Sequence, residues 1–242
     1  LGHSYSPAIH GMLSDYEYKL YEISRENLPG FLRDGGWDGL NVTIPYKKDV
    51  VAFCDELSET AKAIGSVNTL VRRDDGTIYG DNTDAFGFES LVRKNNVRPR
   101  GKKTLILGSG GACASVRLVL DKMGAETVVI SRSGEDNYEN LNRHGDAEII
   151  VNTTPVGMYP GNGISPVDLK MFPRCSAVLD IVYNPSVTEL LYRAETLGIP
   201  CDNGLHMLVA QAKRSSELFT GKSVPDDKIP EIQRRLEAEM KN

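Results

Sequence analysis

The chain has 242 residues, 40% hydrophobic and 25% charged, enough apolar material for one large domain or two modest ones. Lys and Arg number 28 against 33 Asp and Glu, and the net charge of -5 argues against the basic face of a general nucleic-acid binder while leaving room for one basic pocket. Cys54, Cys113, Cys175 and Cys201 make no CxxC pair and the histidines no HExxH pattern, so free thiols in a reducing cytosol are expected rather than a zinc site or disulfide framework.

No apolar run reaches the length of a membrane span, and no secretory signal pattern is visible. The chain opens on Leu1 directly into a motif, so a natural N-terminus with a first strand ending near Leu1-Gly2 is expected to be missing. Residues 16–22 alternate as a strand does, and a short helix is expected over 27–33. A strand at 39–43 runs into Pro45, whose missing N–H suits a helix start, and helical pattern follows over 46–63. Residues 67–71 and 77–79 read as strands joined by the turn Asp74-Asp75-Gly76, and a helix follows over 84–94. The polar stretch 95–103 is a plausible linker. Beyond it, strands at 104–107, 127–130, 148–151 and 177–181 alternate with helices, the first over 111–123, to about Cys201. That alternation predicts a parallel sheet with helices on both faces. Helices over 205–219 and 226–240 close the chain.

Gly108-Ser109-Gly110-Gly111-Ala112 follows the strand at 104–107 and opens a helix, the context a dinucleotide site requires. Gly108 permits the turn, Gly110 lets the backbone approach a pyrophosphate, and the helix start attracts its charge. Cys113 stands where a third glycine would be, and is small enough to keep helix and strand close. The second strand of an NAD site usually ends in an acid that bonds the ribose 2′-OH. Here it ends Ile130-Ser131-Arg132, so Ser131 and Arg132 are expected to read a 2′-phosphate and the cofactor to be NADP(H).

The first ninety residues carry polar groups at strand ends. Ser4 and Ser6, two residues apart and followed by Pro7, could clamp a carboxylate at a helix start, although Ser6 would serve equally as a helix cap. Asn41 through Lys47, Asn68-Thr69 and Gly80 through Asp84 could together bond a polyhydroxylated ring, while each alone could be a cap or turn residue.

These strings, with His10, Asn152-Thr153-Thr154-Pro155-Val156-Gly157-Met158, Asp180-Ile181-Val182-Tyr183 and Gly204 through Gln211, run in order over nearly the whole chain. Together they resemble the shikimate dehydrogenase family. The resemblance implies an α/β fold in which residues 1–84 and 204–242 form a substrate-binding catalytic domain. Residues 85–203 would form a Rossmann-type, doubly wound NADP-binding domain, with the last helices returning to the first domain. It implies that Ser4 and Ser6 hold the substrate carboxylate, that Lys47 is catalytic with Asp84 as its partner, and that Thr43, Asn68 and Gln211 bond the substrate's polar groups. Asn152, Thr153 and Met158 would lie near the cofactor, and Ile181, Tyr183 and Gly204 around nicotinamide and substrate. Ala85 stands where the family has glycine, a change a helix start should tolerate.

The implied reaction is reversible reduction of 3-dehydroshikimate to shikimate, with Lys47 as general acid, no metal, and a cleft that closes to exclude water. Burial would lower the lysine pKa and a nearby carboxylate would raise it, so Asp84 is expected to orient Lys47 more than to make it basic. Expected partners are small molecules alone, for a cytoplasmic monomer or homodimer. Two rivals stand beside this reading: a quinate or dual quinate/shikimate dehydrogenase, and a non-catalytic sensor that keeps the fold.

Overall fold

A computed structural model describes residues 4–240, so the strand expected near Leu1-Gly2 lies outside the described residues. The chain divides within two helices, after Phe86 and again after Leu208. One unit comprises residues 1–86 and 209–242, and the other residues 87–208.

The first unit contains helices α1 (Ser6–Leu13), α2 (Leu28–Asp34) and α3 (Glu59–Ile64), and strands β1 (Gly39–Asn41), β2 (Glu56–Leu57), β3 (Thr69–Arg72) and β4 (Ile78–Asp81). The sheet order is β1-β3-β4-β2, with β2 parallel to β4 and the other pairs antiparallel. Its core gathers Leu28 and Leu32 of α2, Trp37, Val50, Ala61, Val67, Leu70 and Ile78. Each such fully buried aliphatic side chain contributes roughly 1.5–3 kcal/mol relative to exposure. The turn at 74–76 joins β3 to β4 as the sequence predicts, its Asp75 side chain accepting from Thr77 N at 2.9 Å.

Two expectations fail in this unit. Residues 46–63 are not one helix: a 3-10 turn at Asp49–Phe53, strand β2 and α3 replace it. Asp55 N donates to Ile78 O at 2.9 Å and Ser58 N to Gly80 O at 2.9 Å, so pairing with β4 extracts this segment from the helix its spacing suggests. Ser58 then restarts helical structure as the cap of α3, accepting from Ala61 N. Residues 16–22 likewise form no assigned strand. Burial alternates only over 16–19, with Glu17 and Lys19 outward and Tyr16 and Tyr18 turned in, while Leu20, Tyr21 and Glu22 are all exposed, so the pattern records which side chains are buried and not a backbone ladder.

The second unit is built on a parallel sheet of β5 (Lys103–Leu107), β6 (Glu126–Ile130), β7 (Ile149–Asn152), β8 (Ala177–Asp180) and β9 (Cys201–Asp202), in the order β6-β5-β7-β8-β9. Every residue of β7 and β8 is buried, the pattern of a sheet covered on both faces. Helix α4 (Thr83–Lys94) enters the unit, α5 (Gly111–Lys122) links β5 to β6, and α6 (Glu189–Thr196) links β8 to β9. Helix α7 (Leu205–Thr220) leads back to the first unit, where α8 (Lys228–Met240) ends the described chain. The expected helix–strand alternation is incomplete. Only 3-10 turns, at Leu141–His144 and Leu169–Met171, occupy the connections on either side of β7. The longer connection carries Pro155, Gly157, Pro160, Gly161, Gly163, Pro166 and Pro173, residues that cost a helix most.

The strand order reverses between β5 and β7, and an open α/β sheet binds ligands beyond the carboxyl ends of its strands at such a point. Among the described residues no helix is long and apolar enough to cross a membrane.

Candidate active site

In the first unit the register places Asn41 of β1 opposite Thr69 of β3, and Thr69 opposite Asp81 of β4. The sequence strings that follow or precede these strands therefore converge on one edge. Val42 N donates to Asn68 O and Val67 N to Lys47 O, both at 2.7 Å, which fixes the backbone of Lys47 against the approach to β3. Asp84 lies in the first turn of α4. Lys47 Nζ forms an ion pair with Asp84 Oδ2 at 2.5 Å, the two side chains being 21% and 13% exposed. The other carboxylate oxygen accepts from Asn68 Nδ2 at 2.9 Å, and Asn68 Oδ1 accepts from Thr83 N at 2.8 Å. Asp84 is thus held by a cation and an amide from different segments, and still reaches solvent. Lys48, by contrast, is exposed. Ala85 is buried within α4, so the helix accommodates it.

Behind this pair lies a cluster of hydroxyls. Thr69 Oγ1 donates to Asn68 Oδ1 at 3.0 Å and lies 2.8 Å from Ser215 Oγ on α7. Ser215 also meets Asn41 Nδ2 at 2.8 Å and Thr83 Oγ1 at 3.1 Å. Gln211 precedes it by one turn, with Oε1 accepting from Thr83 Oγ1 at 3.4 Å.

Ser4 and Ser6 sit at the start of α1, where Ser6 N donates to Ser4 Oγ. The cap position is Tyr5, with no side-chain capping bond, so Ser6 does not serve as the helix cap. The Tyr18 hydroxyl donates to Asn41 Oδ1 at 3.1 Å, which ties residue 18 to the end of β1. His10 stacks on the Tyr18 ring at 4.2 Å and faces the Tyr16 hydroxyl through Nδ1. Burial pushes His10 down to about 4 and the Tyr18 phenol up to about 12. Thr43 is exposed, and its carbonyl closes a turn with Tyr46 N. This edge therefore offers hydroxyls, amides, one cation and one carboxylate, a set suited to a small hydroxylated acid.

In the second unit, Gly108 has φ +100, a conformation only glycine adopts freely, and an added Cβ would lie 2.7 Å from Thr154 Cγ2. Gly110 caps α5 with no side-chain bond, and nothing lies within 4 Å of where a Cβ would stand on Gly110 or Gly111. The exposed start of α5, with its first N–H groups outside the intrahelical ladder and Ser109 exposed and Ala112 half-buried beside them, suits a pyrophosphate cradle. Cys113 is buried, as close packing of α5 demands. Ser131 is buried and Arg132 exposed just beyond β6. The residues present fit a dinucleotide with an extra phosphate.

Thr153 is buried, its hydroxyl donating to Leu107 O at 2.8 Å, and Met158 is exposed. Asn152 is fully buried, with its amide engaged by Thr154, Val156 and Asp180. Ile181 and Tyr183 are half-buried beyond β8. A Cβ on Gly204 would lie 2.0 Å from Ile181 O, so only glycine lets these two segments meet.

The family model for the shikimate dehydrogenase substrate binding domain matches residues 1–70. A shikimate dehydrogenase (NADP(+)) from Clostridium perfringens is 36% identical, over 98% of this chain and 96% of its own. The chain belongs to the shikimate dehydrogenase family. Among solved structures, a chorismate mutase/shikimate 5-dehydrogenase fusion protein from Clostridium acetobutylicum matches with a TM-score of 0.93 at 36% identity, covering 100% of this chain and 96% of that one. The family's enzyme from Thermus thermophilus, in complex with NADP(H) and shikimate, matches with a TM-score of 0.87 at 31% identity, covering 97% and 95%.

Sequence reasoning did not single out Tyr18 and Ser215, which the structure brings against Asn41 at the same edge as Lys47 and Asp84. Ser215 stands four residues after Gln211, on the same helix face, and that spacing was the available signal. Tyr18 was hidden inside a segment read as a strand.

Proposed function

We propose that this chain catalyses the reversible NADPH-dependent reduction of 3-dehydroshikimate to shikimate, a step of aromatic amino-acid biosynthesis. The observation that carries this reading is the Lys47–Asp84–Asn68 arrangement in the first unit, on a chain whose second unit holds a bare glycine-capped helix followed by Arg132. We assign residues 1–84 and 204–242 to substrate binding and residues 85–203 to the cofactor.

NADPH, when bound, supplies hydride to the carbonyl carbon of the substrate. The N–H groups of Gly110, Gly111 and Ala112 would hold its pyrophosphate, with Ser131 and Arg132 on the 2′-phosphate. Thr153, Met158, Ile181 and Gly204 would border the rest of the dinucleotide. As hydride arrives, negative charge grows on the carbonyl oxygen. Lys47 donates a hydrogen bond to that oxygen and then its proton, so the ketone leaves as an alcohol and the lysine is left neutral until solvent reprotonates it. Asp84 holds Nζ in place and accepts a substrate hydroxyl. Asn68, Thr43, Gln211 and Tyr183 bond the remaining ring oxygens, and the Ser4 and Ser6 hydroxyls hold the carboxylate. The Lys47–Asp84 pair weighs against a sensor, which would need neither residue. We place the enzyme in the cytoplasm, where its four free thiols would stay reduced, as a monomer or homodimer acting on small molecules only.

The test is turnover with shikimate and NADP+, followed at the reduced-nicotinamide absorbance band, and then with quinate. Shikimate-dependent reduction of NADP+ is expected. Its absence would overturn the reading, and equal rates with quinate would replace it with a dual-specificity enzyme.

A further inference from the structure

Asp180, at the last position of β8, has no part in the proton transfer, yet it is fully buried at the carboxyl end of the sheet. Its Oδ1 accepts from Asn152 Nδ2 at 2.9 Å and from Val182 N at 3.0 Å, and its Oδ2 accepts from Thr188 Oγ1 at 2.7 Å. Those three donors belong to three separate segments: the end of β7, the loop after β8, and the cap of α6. Asn152 carries the tie onward. Its Oδ1 accepts from Thr154 N at 3.0 Å and from Thr154 Oγ1 at 2.7 Å, which shapes the turn leading to Met158. Thr188 also caps α6 by accepting from Leu191 N, and its side chain lies 3.4 Å from where a Cβ on Gly157 would stand. These partners of the carboxylate are all neutral donors, the costly arrangement for a buried charge that is retained where a fixed geometry matters.

We propose that Asp180 and Asn152 are positioning residues of the cofactor site. One buried carboxylate sets the shape of the 153–158 turn and of the 181–183 segment together, and through them the placement of Thr153, Met158 and Ile181. Asn152 acts by shaping the turn and not by touching the dinucleotide. The inference rests on the cofactor reading above and deepens it.

The two oxygens of Asp180 are not equivalent. Oδ1 faces two groups that can only donate, whereas Oδ2 faces a hydroxyl that can turn and accept instead. Asp180→Asn can therefore keep the tie, with its carbonyl toward Asn152 and Val182 and its NH2 toward Thr188. Asp180→Ala removes the acceptor of all three donors at once, and Thr188→Val removes one of those three bonds together with the cap bond from Leu191 N.

The test is NADPH affinity by fluorescence titration of the purified full chain, alongside KM for shikimate. Asp180→Ala is expected to weaken NADPH about tenfold or more, the usual scale for stranding buried donors, with a smaller rise in KM for shikimate, through Tyr183 alone. Thr188→Val should weaken NADPH by roughly two- to fivefold, and Asp180→Asn should recover to within about threefold of the parent protein. Should Asp180→Ala not fold, the Thr188→Val and Asp180→Asn measurements decide. Unchanged NADPH affinity in Thr188→Val, equal damage to both ligands, or an Asp180→Asn variant that loses tenfold or more would overturn the inference. If the parent protein does not bind NADPH at all, the cofactor reading fails and takes this inference with it.

Discussion

Replacing Lys47 by alanine separates the chemistry of the proposed site from its stability. Loss of a general acid costs about two to four orders of magnitude, or roughly 2.7–5.4 kcal/mol at about 1.36 kcal/mol per decade. Lys47→Ala should therefore lower kcat for shikimate oxidation at least about a hundredfold. Structure predicts a second effect. Asp84 is only 13% exposed, and without Lys47 its Oδ2 loses the Nζ partner while Oδ1 keeps Asn68. Stranding a partly buried charged acceptor costs about 1–3 kcal/mol, and each kcal/mol shifts Tm by about 2–4 °C at this chain length. The double variant Lys47→Ala/Asp84→Asn removes the stranded charge but keeps a carbonyl for Asn68 Nδ2. It should regain much of the lost Tm and none of the lost kcat. Steady-state kinetics and thermal denaturation of the two variants check both halves, with Lys48→Ala as the exposed control. Turnover within about threefold of the parent in Lys47→Ala, or an equal loss in Lys48→Ala, would refute the assignment of the proton to Lys47.

Arg132→Ala should weaken NADPH by about 10- to 150-fold, the range for a charge-assisted hydrogen bond, and leave NADH affinity unchanged; equal affinities for NADPH before and after would reject its role at the 2′-phosphate. Gly108→Ala forces an alanine to φ +100 with its methyl 2.7 Å from Thr154 Cγ2, so NADPH affinity should fall about tenfold or more, given strain of about 1–3 kcal/mol; titration of NADPH against the variant tests this. The Asp180→Asn variant also carries a pH signature. Burial lifts Asp180 from the ordinary 3.8 to about 6 in the folded protein, against the pull of Thr188, Val182 and Asn152. Between those values the folded state holds a proton the unfolded chain has released, so this group's contribution to stability falls as pH rises through the window and is level above it. His10, with a folded value of about 4 against an ordinary 6.5, acts oppositely: its contribution is lost as pH falls through that range. It is common to both proteins and cancels in the difference. The Tm of Asp180→Asn minus that of the parent should thus grow from about pH 4 to pH 6 and then flatten; a flat difference throughout would mean that Asp180 ionises normally.

The parts of this molecule that were legible in the sequence are those fixed by local chemistry. Gly108 could be read because a strand, a φ that only glycine adopts freely and a helix start follow one another within a few residues. The β3–β4 hairpin could be read because Asp75 and Gly76 make its turn. What stayed hidden was decided at a distance. The helical spacing over 46–63 gave no sign that Asp55 and Ser58 would bond to carbonyls of β4 more than twenty residues on. Ser215 looked like any serine in a helix, and only the fold of α7 against β1 and β3 makes it the meeting point of Asn41, Thr69 and Thr83. Asn152 and Asp180 stood in recognisable strings, yet the bond between them could not be read from either.

Asp81, Asp180 and Asp84 stand at strand ends or a helix start, and their partners give them different work. Asp81 is buried and accepts from Ser58 Oγ and from Asn82 N through one oxygen, which ties the cap of α3 to the end of β4. Asp180 is fully buried among neutral donors, so its carboxylate can hold loops in register but cannot reach a substrate. Asp84 alone of the three pairs with a lysine and keeps part of its surface open to solvent. The same side chain at similar strand ends is thus a structural cap, a positioning tie and an active-site partner. What separates these three is whether the facing group is a neutral donor or a cation, and whether water can still enter. Lys47 stands out on the same grounds: it is the cation of that pair, and it too remains partly open, as a group that must give up a proton and take one back requires.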